Sequence, residues 1–169
     1  DLIYSANCMC HIPDIQNAFL AIEKTIADTG VFVFEDPSLL EMLKRNSYDQ
    51  IYDEHAHVFS VTALQKILES VGLEIFRVQK LDIHGGSNRI FAQKVNCRNR
   101  GIEDSVSEAL QEESIFGINL KETYIEFGKR VESSKKDLLN LLESEKRKGK
   151  KIVSYGATSK STTVFNFCG

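Results

Sequence analysis

The sequence has few cysteines, almost no excess charge and no long apolar run, and each shortage excludes a class of protein. Four cysteines in 169 residues are too few for a secreted disulfide scaffold. The 21 basic and 24 acidic side chains leave a net charge of −3, which gives no electrostatic case for a nucleic-acid partner. No apolar run is long enough to span a bilayer, and the first residues lack the pattern of a secretory leader. We therefore expect a soluble, cytoplasmic, mixed α/β protein without nucleic-acid or membrane partners.

Both ends of the sequence lie in or beside apolar segments. The chain starts without Met in the strand-like run Leu2-Ile3-Tyr4-Ser5-Ala6 and stops at Gly169, shortly after another apolar stretch begins. Domain boundaries usually lie in polar, flexible linkers. We therefore expect the chain to be an internal piece of a longer protein.

The first part of the sequence predicts a βαβ unit. Residues 1–7 and 31–34 are apolar runs typical of buried strands, and residues 13–28 place their apolar side chains on one helical face. Two strands joined in this way are parallel, and functional groups collect at their carboxyl ends. Those ends hold residues 7–11 and residues 35–36.

The middle of the sequence predicts a helix followed by a β-hairpin. Ser60 can cap a helix that ends at Gly72. Strands are expected over residues 73–83 and 87–95, because the intervening His84-Gly85-Gly86 permits the positive φ angles of a tight turn. Together with the βαβ unit, this hairpin makes the expected sheet a mixed one.

The last third of the sequence predicts a long charged helix and then a new strand. Apolar residues with alternating four- and three-residue spacing predict a seam that packs on a neighbouring helix: Leu120, Tyr124, Phe127, Val131, Leu138 and Leu141. The run Ile152-Val153-Ser154-Tyr155 is expected to form a strand, followed by a loop and the start of a helix. We therefore expect a second α/β unit to begin here.

The densest group of chemically useful side chains is Tyr52-Asp53-Glu54-His55, with His57 close by. An imidazole is the natural proton acceptor near pH 7, and a neighbouring carboxylate can orient it. His11, which follows a strand end, is a second candidate. The alternative interpretation is a solvated polar loop without catalytic function.

Two further patterns invite a ligand. Cys8-x-Cys10-His11 has part of a zinc pattern, but no complementary Cys or His pair follows at the required spacing, so we predict no metal site in this chain. The loop over residues 156–161 comes after the expected strand and can cradle phosphate, with Lys160 adding charge. It matches neither a Walker loop nor a dinucleotide fingerprint.

Several short motifs follow one another in a specific order along the chain. They are Gln50-Ile51-Tyr52-Asp53-Glu54-His55, Phe59-Ser60, Ile83-His84-Gly85-Gly86, Ser154-Tyr155-Gly156-Ala157-Thr158-Ser159-Lys160-Ser161 and Asn166-Phe167-Cys168-Gly169. In this order and spacing the sequence closely resembles the S-adenosylmethionine-dependent sugar C-methyltransferases. Enzymes of that family methylate carbon 3 of nucleotide-linked 4-keto-6-deoxyhexoses. The resemblance runs over nearly the whole chain and depends on the motifs jointly.

The resemblance implies a domain layout. The family has a small N-terminal zinc-binding domain, a central Rossmann-like class I methyltransferase domain and a C-terminal Rossmann-like domain. Residues 1–100 then correspond to the later half of the central α/β domain, with its mixed sheet and hairpin. Residues 101–149 are the helical connector, and residues 150–169 begin the last domain. The zinc cysteines and the glycine-rich loop that binds S-adenosylmethionine are expected before residue 1, which implies that the isolated chain is inactive.

The resemblance also implies which residues carry the reaction. The catalytic set surrounds a general base: His55, Glu54, Tyr52 and His11. The substrate-binding set comprises a strand-end residue and a loop that holds the nucleotide diphosphate: Asn7, Tyr155, Gly156, Ala157 and Lys160.

Three interpretations remain open at this point. In the first, His55 removes the proton beside the ketone of a nucleotide-diphosphate keto-sugar, and the enolate takes the methyl group of S-adenosylmethionine. In the second, the same fold methylates a different small molecule, because a fold does not determine a substrate. In the third, the chain is a non-catalytic interaction module that exposes the stripe from Leu120 to Leu141. Either Tyr52 or His11 can supply the hydrogen bond to the enolate.

Overall fold

A computed structural model describes residues 1–97 and 100–169. Within those residues the chain forms four strands and six helices, which we number in chain order. They are β1 (Leu2–Ala6), α1 (Ile15–Thr25), β2 (Val31–Pro37), α2 (Leu39–Arg45), α3 (Val61–Ser70), β3 (Leu73–Leu81), β4 (Ser87–Lys94), α4 (Asp104–Phe116), α5 (Lys121–Arg147) and α6 (Ser159–Cys168). Short 3-10 turns cover Met9–His11 and Tyr48–Gln50.

The four strands form one mixed sheet in the order β1-β2-β4-β3. The pair β1 and β2 is parallel, whereas β4 runs antiparallel to both β2 and β3. The predicted βαβ unit, the hairpin and the mixed sheet are therefore confirmed. The parallel register brings the carboxyl ends of β1 and β2 together, where the Asn7 amide donates to the Glu35 carbonyl at 2.7 Å.

The main core lies between the sheet and helices α1 and α3. Asp14 and Ser60 cap these helices by accepting hydrogen bonds from the amides of Asn17 and Ala63. The largest fully buried side chains come from both layers: Phe19, Phe32, Phe34, Leu64, Leu68 and Leu73. Each such side chain contributes about 1.5–3 kcal/mol by leaving water. This core fixes the carboxyl ends of β1 and β2 and the start of α3. The polar side chains of the candidate site lie between these points.

A second, smaller core joins α2 to the first half of α5. Leu43 and Phe127 are buried there, and Arg130 donates to the Leu43 carbonyl at 2.6 Å. The predicted seam of α5 is correct only around Phe127 and Val131, because Leu120, Tyr124 and Leu141 remain exposed. Helix α6 then returns toward the Tyr48 turn, where the Phe167 and Tyr48 rings lie 5.4 Å apart.

Two strand predictions need correction. Residues 1–7 are predicted to form a buried strand, but β1 lies at the edge of the sheet. The side chains of Leu2 and Tyr4, on one face of this strand, are exposed. Residues 152–155 were expected to open a second α/β unit as a strand, but they form no strand, and Tyr155 is fully exposed. Strand formation needs a neighbouring strand for its hydrogen bonds, and none of the described residues supplies one there. The helix predicted after them is confirmed as α6.

Among the described residues, no helix combines the length and apolar character that crossing a bilayer requires.

Candidate active site

Two segments that are distant in sequence place two histidines side by side. His11 ends the 3-10 turn that follows β1, and His55 lies in the loop that leads to α3. The His57 amide donates to the Cys10 carbonyl at 3.1 Å, which ties this loop to the turn. The ring centroids of His11 and His55 are 5.0 Å apart as a result.

The hydrogen bonds of the two histidines determine where their protons lie. His55 Nδ1 is 2.8 Å from the Gln50 carbonyl, and His11 Nδ1 is 2.6 Å from the Glu54 carbonyl. A carbonyl oxygen only accepts, so both Nδ1 atoms carry the proton and donate. In a neutral ring of this kind, Nε2 is therefore the unprotonated, basic nitrogen. The Tyr52 hydroxyl lies 2.7 Å from His55 Nε2 and donates to it.

The local electrostatics keep His55 ready to accept a proton. Burial lowers the pKa of His55, and the neighbouring His11 and Lys160 add to that effect against the opposing influence of the Gln50 carbonyl and Glu54. Burial also raises the pKa of Tyr52. At neutral pH the site therefore combines a neutral imidazole with a protonated phenol. This is the arrangement of a general base and a hydrogen-bond donor.

A buried thiol and carboxylate lie beneath the histidines. Burial and the neighbouring Asp36 raise the pKa of the Cys10 thiol, which keeps its proton. Asp36 is 3% exposed and accepts the Cys10 amide at 3.3 Å, and burial raises its own pKa. Its Oδ2 atom has no hydrogen-bond partner among the described residues.

Cys10, His11 and His55 present ligand atoms within 4.8 Å of one another, a grouping that can hold a metal ion. Sequence spacing missed it because His55 comes from a different loop. A metal would require Cys10 to lose its proton and Tyr52 to release His55, so the arrangement suits proton transfer better than ligation. The absence of a metal site in this chain stays a prediction.

The remaining sequence-predicted residues lie at varying distances from the histidines. Glu54 contributes its backbone carbonyl, while its side chain is exposed. Asn7 has a left-handed backbone (φ 49°) at the end of β1, and no hydrogen bond within the described part of the chain joins it to the histidines. Tyr155 and Gly156 are exposed. Lys160, at the start of α6, is close enough to His55 to affect its charge.

An open cleft of about 690 Å³ separates the His55 loop from α6. Its lining is mostly polar on the helix side and mixed on the loop side: Ile51, Tyr52, Asp53, Ala157, Thr158, Ser159, Thr162, Thr163, Asn166 and Phe167. Of the predicted binding residues, only Ala157 lines it together with the catalytic candidate Tyr52. Thr162 and Asn166, one helical turn apart on α6, also line the cleft, and no sequence motif assigned them a role there.

Comparison with known proteins gives two family matches that together cover almost the whole chain. Residues 82–169 match the model of the C-methyltransferase C-terminal domain, and residues 1–78 match a methyltransferase domain. The C-methyltransferase NovU of Streptomyces niveus is 35% identical over 168 residues, which are 99% of this chain and 40% of that protein. The chain therefore spans about two fifths of the length of this relative.

Proposed function

The chain belongs to the S-adenosylmethionine-dependent C-methyltransferase family, and from this premise we propose that its protein methylates carbon 3 of a nucleotide-linked 4-keto-6-deoxyhexose. The single observation that carries the proposal is the Tyr52–His55 pair beside His11. A keto-sugar has an acidic C–H next to its carbonyl, and this pair provides a neutral base and a donor side by side.

His55 Nε2 removes the proton from carbon 3. The Gln50 carbonyl holds Nδ1–H in place, so Nε2 is the basic atom, and the Tyr52 hydroxyl that donates to it must turn away before the carbon proton can be taken. As the proton moves to Nε2, the C–H electron pair becomes the enolate. His55 Nε2 can then no longer accept from Tyr52.

Tyr52 is the group best placed to stabilise the enolate oxygen. When its hydroxyl turns from His55 Nε2 to the ketone oxygen of the substrate, the lone pair of Nε2 becomes available to the carbon proton, and the raised pKa of Tyr52 keeps the hydroxyl proton on the phenol. His11 has its Nδ1–H engaged by the Glu54 carbonyl, so that proton does not point to the enolate. Tyr52 therefore supplies the hydrogen bond to the developing charge, and His11 orients the substrate.

The carboxyl ends of β1 and β2 are the part of this chain that would face the methyl donor. The donor would supply an electrophilic methyl group on a sulfonium, and the part of this chain is to form the carbanion that accepts it. The joined carboxyl ends of β1 and β2 are where ligands bind such sheets. Within the described residues, no strand leads through a glycine-rich loop into a helix, since the Gly85-Gly86 turn joins two strands.

Further parts of the proposal follow from the family premise. The donor-binding loop and any zinc cysteines lie outside these 169 residues, so the chain alone does not transfer methyl groups. Lys160 and Ala157 hold the substrate diphosphate, and Asn7 lines the donor side. The roles of Tyr155 and Gly156 stay predictions. The protein acts in the cytoplasm, without nucleic-acid or membrane partners.

The test measures methyl transfer from labelled S-adenosylmethionine to a panel of nucleotide 4-keto-deoxysugars by the full-length protein. His57→Ala is the matched control for His55→Ala, because His57 lies in the same loop but donates to the Pro13 carbonyl. Transfer to carbon that only His55→Ala abolishes supports the proposal. Tight donor binding without transfer to any keto-sugar contradicts the substrate and favours a different carbonyl compound.

A further inference from the structure

Two buried carboxylates follow each other at the carboxyl end of β2, and they differ in their partners. Successive side chains of a strand point to opposite faces of the sheet, so Glu35 and Asp36 lie on opposite faces. Glu35 accepts from the Tyr4 hydroxyl at 2.6 Å and pairs with Arg89 at 2.6 Å. Asp36 forms no ion pair with any residue that the structure describes, although it is only 3% exposed.

A buried carboxylate without a cation is costly for the folded protein. Burial disfavours its charged form, which is why the pKa of Asp36 is raised. Asp36 Oδ1 accepts the Cys10 amide at 3.3 Å, while Oδ2 has no hydrogen-bond partner among the described residues. An asparagine of the same shape can accept the same hydrogen bond without burying a charge. The charge of Asp36 therefore needs an explanation other than packing.

The carboxylate of Asp36 lies beneath the two histidines of the site. The neighbouring Cys10 thiol separates them, and its raised pKa keeps it neutral there. The ligand atoms of Cys10, His11 and His55 lie within 4.8 Å of one another. Asp36 is also close enough to His11 for opposite charges on the two side chains to attract. The histidines are therefore the groups beside Asp36 that can become positive.

The proposed reaction brings a positive charge to this position. When His55 Nε2 takes the proton from carbon 3, the imidazole becomes an imidazolium, and the C–H electron pair stays on the substrate as the enolate. His11 and Lys160 disfavour that positive charge, because both lower the pKa of His55. Glu54 favours it, but the Glu54 side chain is exposed and water screens its charge. Asp36 adds a buried negative charge that is screened much less.

We propose that the buried Asp36 carboxylate is the counter-charge of the histidine pair and stabilises the positive charge that arises on it when the substrate is deprotonated. The inference rests on the proposed function and deepens it, because it adds a residue that supports the base. Asp36 is a positioning residue in this role, since it acts through the turn that carries Cys10 and His11.

The test is Asp36→Asn in the full-length protein, which removes the charge and keeps an acceptor for the Cys10 amide. Deuterium entry at carbon 3 of a nucleotide 4-keto-6-deoxyhexose, with S-adenosylhomocysteine bound, measures deprotonation. We expect deuterium entry and kcat to fall about tenfold or more, while KM for the keto-sugar stays unchanged. The free energy of unfolding in urea is expected to be unchanged or higher, because a buried charge is removed. Asp137→Asn, at an exposed position of α5, is the matched control and changes none of these quantities.

Each contrary result has a distinct meaning. Deuterium entry that is unchanged in Asp36→Asn overturns the inference and leaves the proposed function intact. A loss of stability together with activity overturns it as well, because Asp36 then serves the fold and not the base. Failure of the unmodified protein to exchange the carbon 3 proton of any keto-sugar nucleotide overturns the proposed function, and the inference with it.

Discussion

Glu113 of α4 is expected to be the most sensitive charged residue for stability. It is 1% exposed, and its carboxylate accepts from the Val61 amide (2.7 Å), the Thr62 amide (2.8 Å) and the Thr62 hydroxyl (2.6 Å). These donors belong to the first turn of α3, whose positive end favours an anion. The α4 helix thereby fixes the point at which the His55 loop enters α3.

Replacing Glu113 by Ala leaves two amides and a hydroxyl without their acceptor. Each buried donor that loses its partner costs about 1–3 kcal/mol, and the half-buried Thr62 hydroxyl can turn to water. We therefore expect Glu113→Ala to lower the free energy of unfolding by about 3–5 kcal/mol. For a chain of this size, that corresponds to a Tm roughly 6–20 °C lower.

The neighbouring Glu112 provides a matched control on the same helix. It pairs with Lys44 and Lys80 at the surface, where ion pairs contribute about 0–1 kcal/mol. Glu112→Ala is therefore expected to cost less than about 1.5 kcal/mol. Urea unfolding followed by circular dichroism measures both variants. Equal losses for the two, or a loss below about 1 kcal/mol for Glu113→Ala, refute the reasoning.

Three further predictions concern catalysis. Burial lowers the pKa of His55, and the base must be unprotonated to act. We therefore expect kcat/KM to rise with pH through a pKa below the ordinary 6.5 and to be level at neutral pH. A pH-independent profile contradicts this prediction. Tyr52→Phe should lower kcat about 10²–10³-fold with little change in donor affinity, measured by steady-state kinetics, and an unchanged kcat excludes Tyr52 as the enolate donor. Phe167→Ala should lower kcat several-fold, because the Phe167 ring packs on Tyr48. Phe165→Ala, at an exposed position of the same helix, should leave kcat unchanged. Equal kcat values in the two variants contradict this prediction.

Those parts of the fold that depend on local patterns could be predicted from the sequence. The βαβ unit and the hairpin at Gly85-Gly86 follow from apolar periodicity and turn chemistry, which act over a few residues. The prediction of a strand at residues 152–155 was wrong, because a strand depends on hydrogen-bonding partner strands that no local sequence pattern specifies. The predicted seam of α5 was correct only around Phe127 and Val131 for the same reason, since periodicity indicates an apolar face and not what covers it.

The residue types of the candidate site could be predicted from the sequence, but the geometry of the site could not. Tyr52, His55 and His11 were singled out from their chemistry and from the family resemblance. Their hydrogen bonds were not predictable, because the Gln50 and Glu54 carbonyls that set the histidine protons leave no signal in side-chain identity. The same holds for Cys10, which reaches the histidines only through the folding of the strand-end turn.

Proton exchange at carbon 3 tests the central claim most directly. The full-length protein is incubated in D₂O with a nucleotide 4-keto-6-deoxyhexose and S-adenosylhomocysteine, so that deprotonation can be followed by NMR without methyl transfer. We predict that deuterium enters carbon 3, that His55→Gln abolishes its entry, and that His57→Gln does not affect it. Exchange that survives in His55→Gln and is lost in His11→Gln would contradict the assignment of His55 as the base.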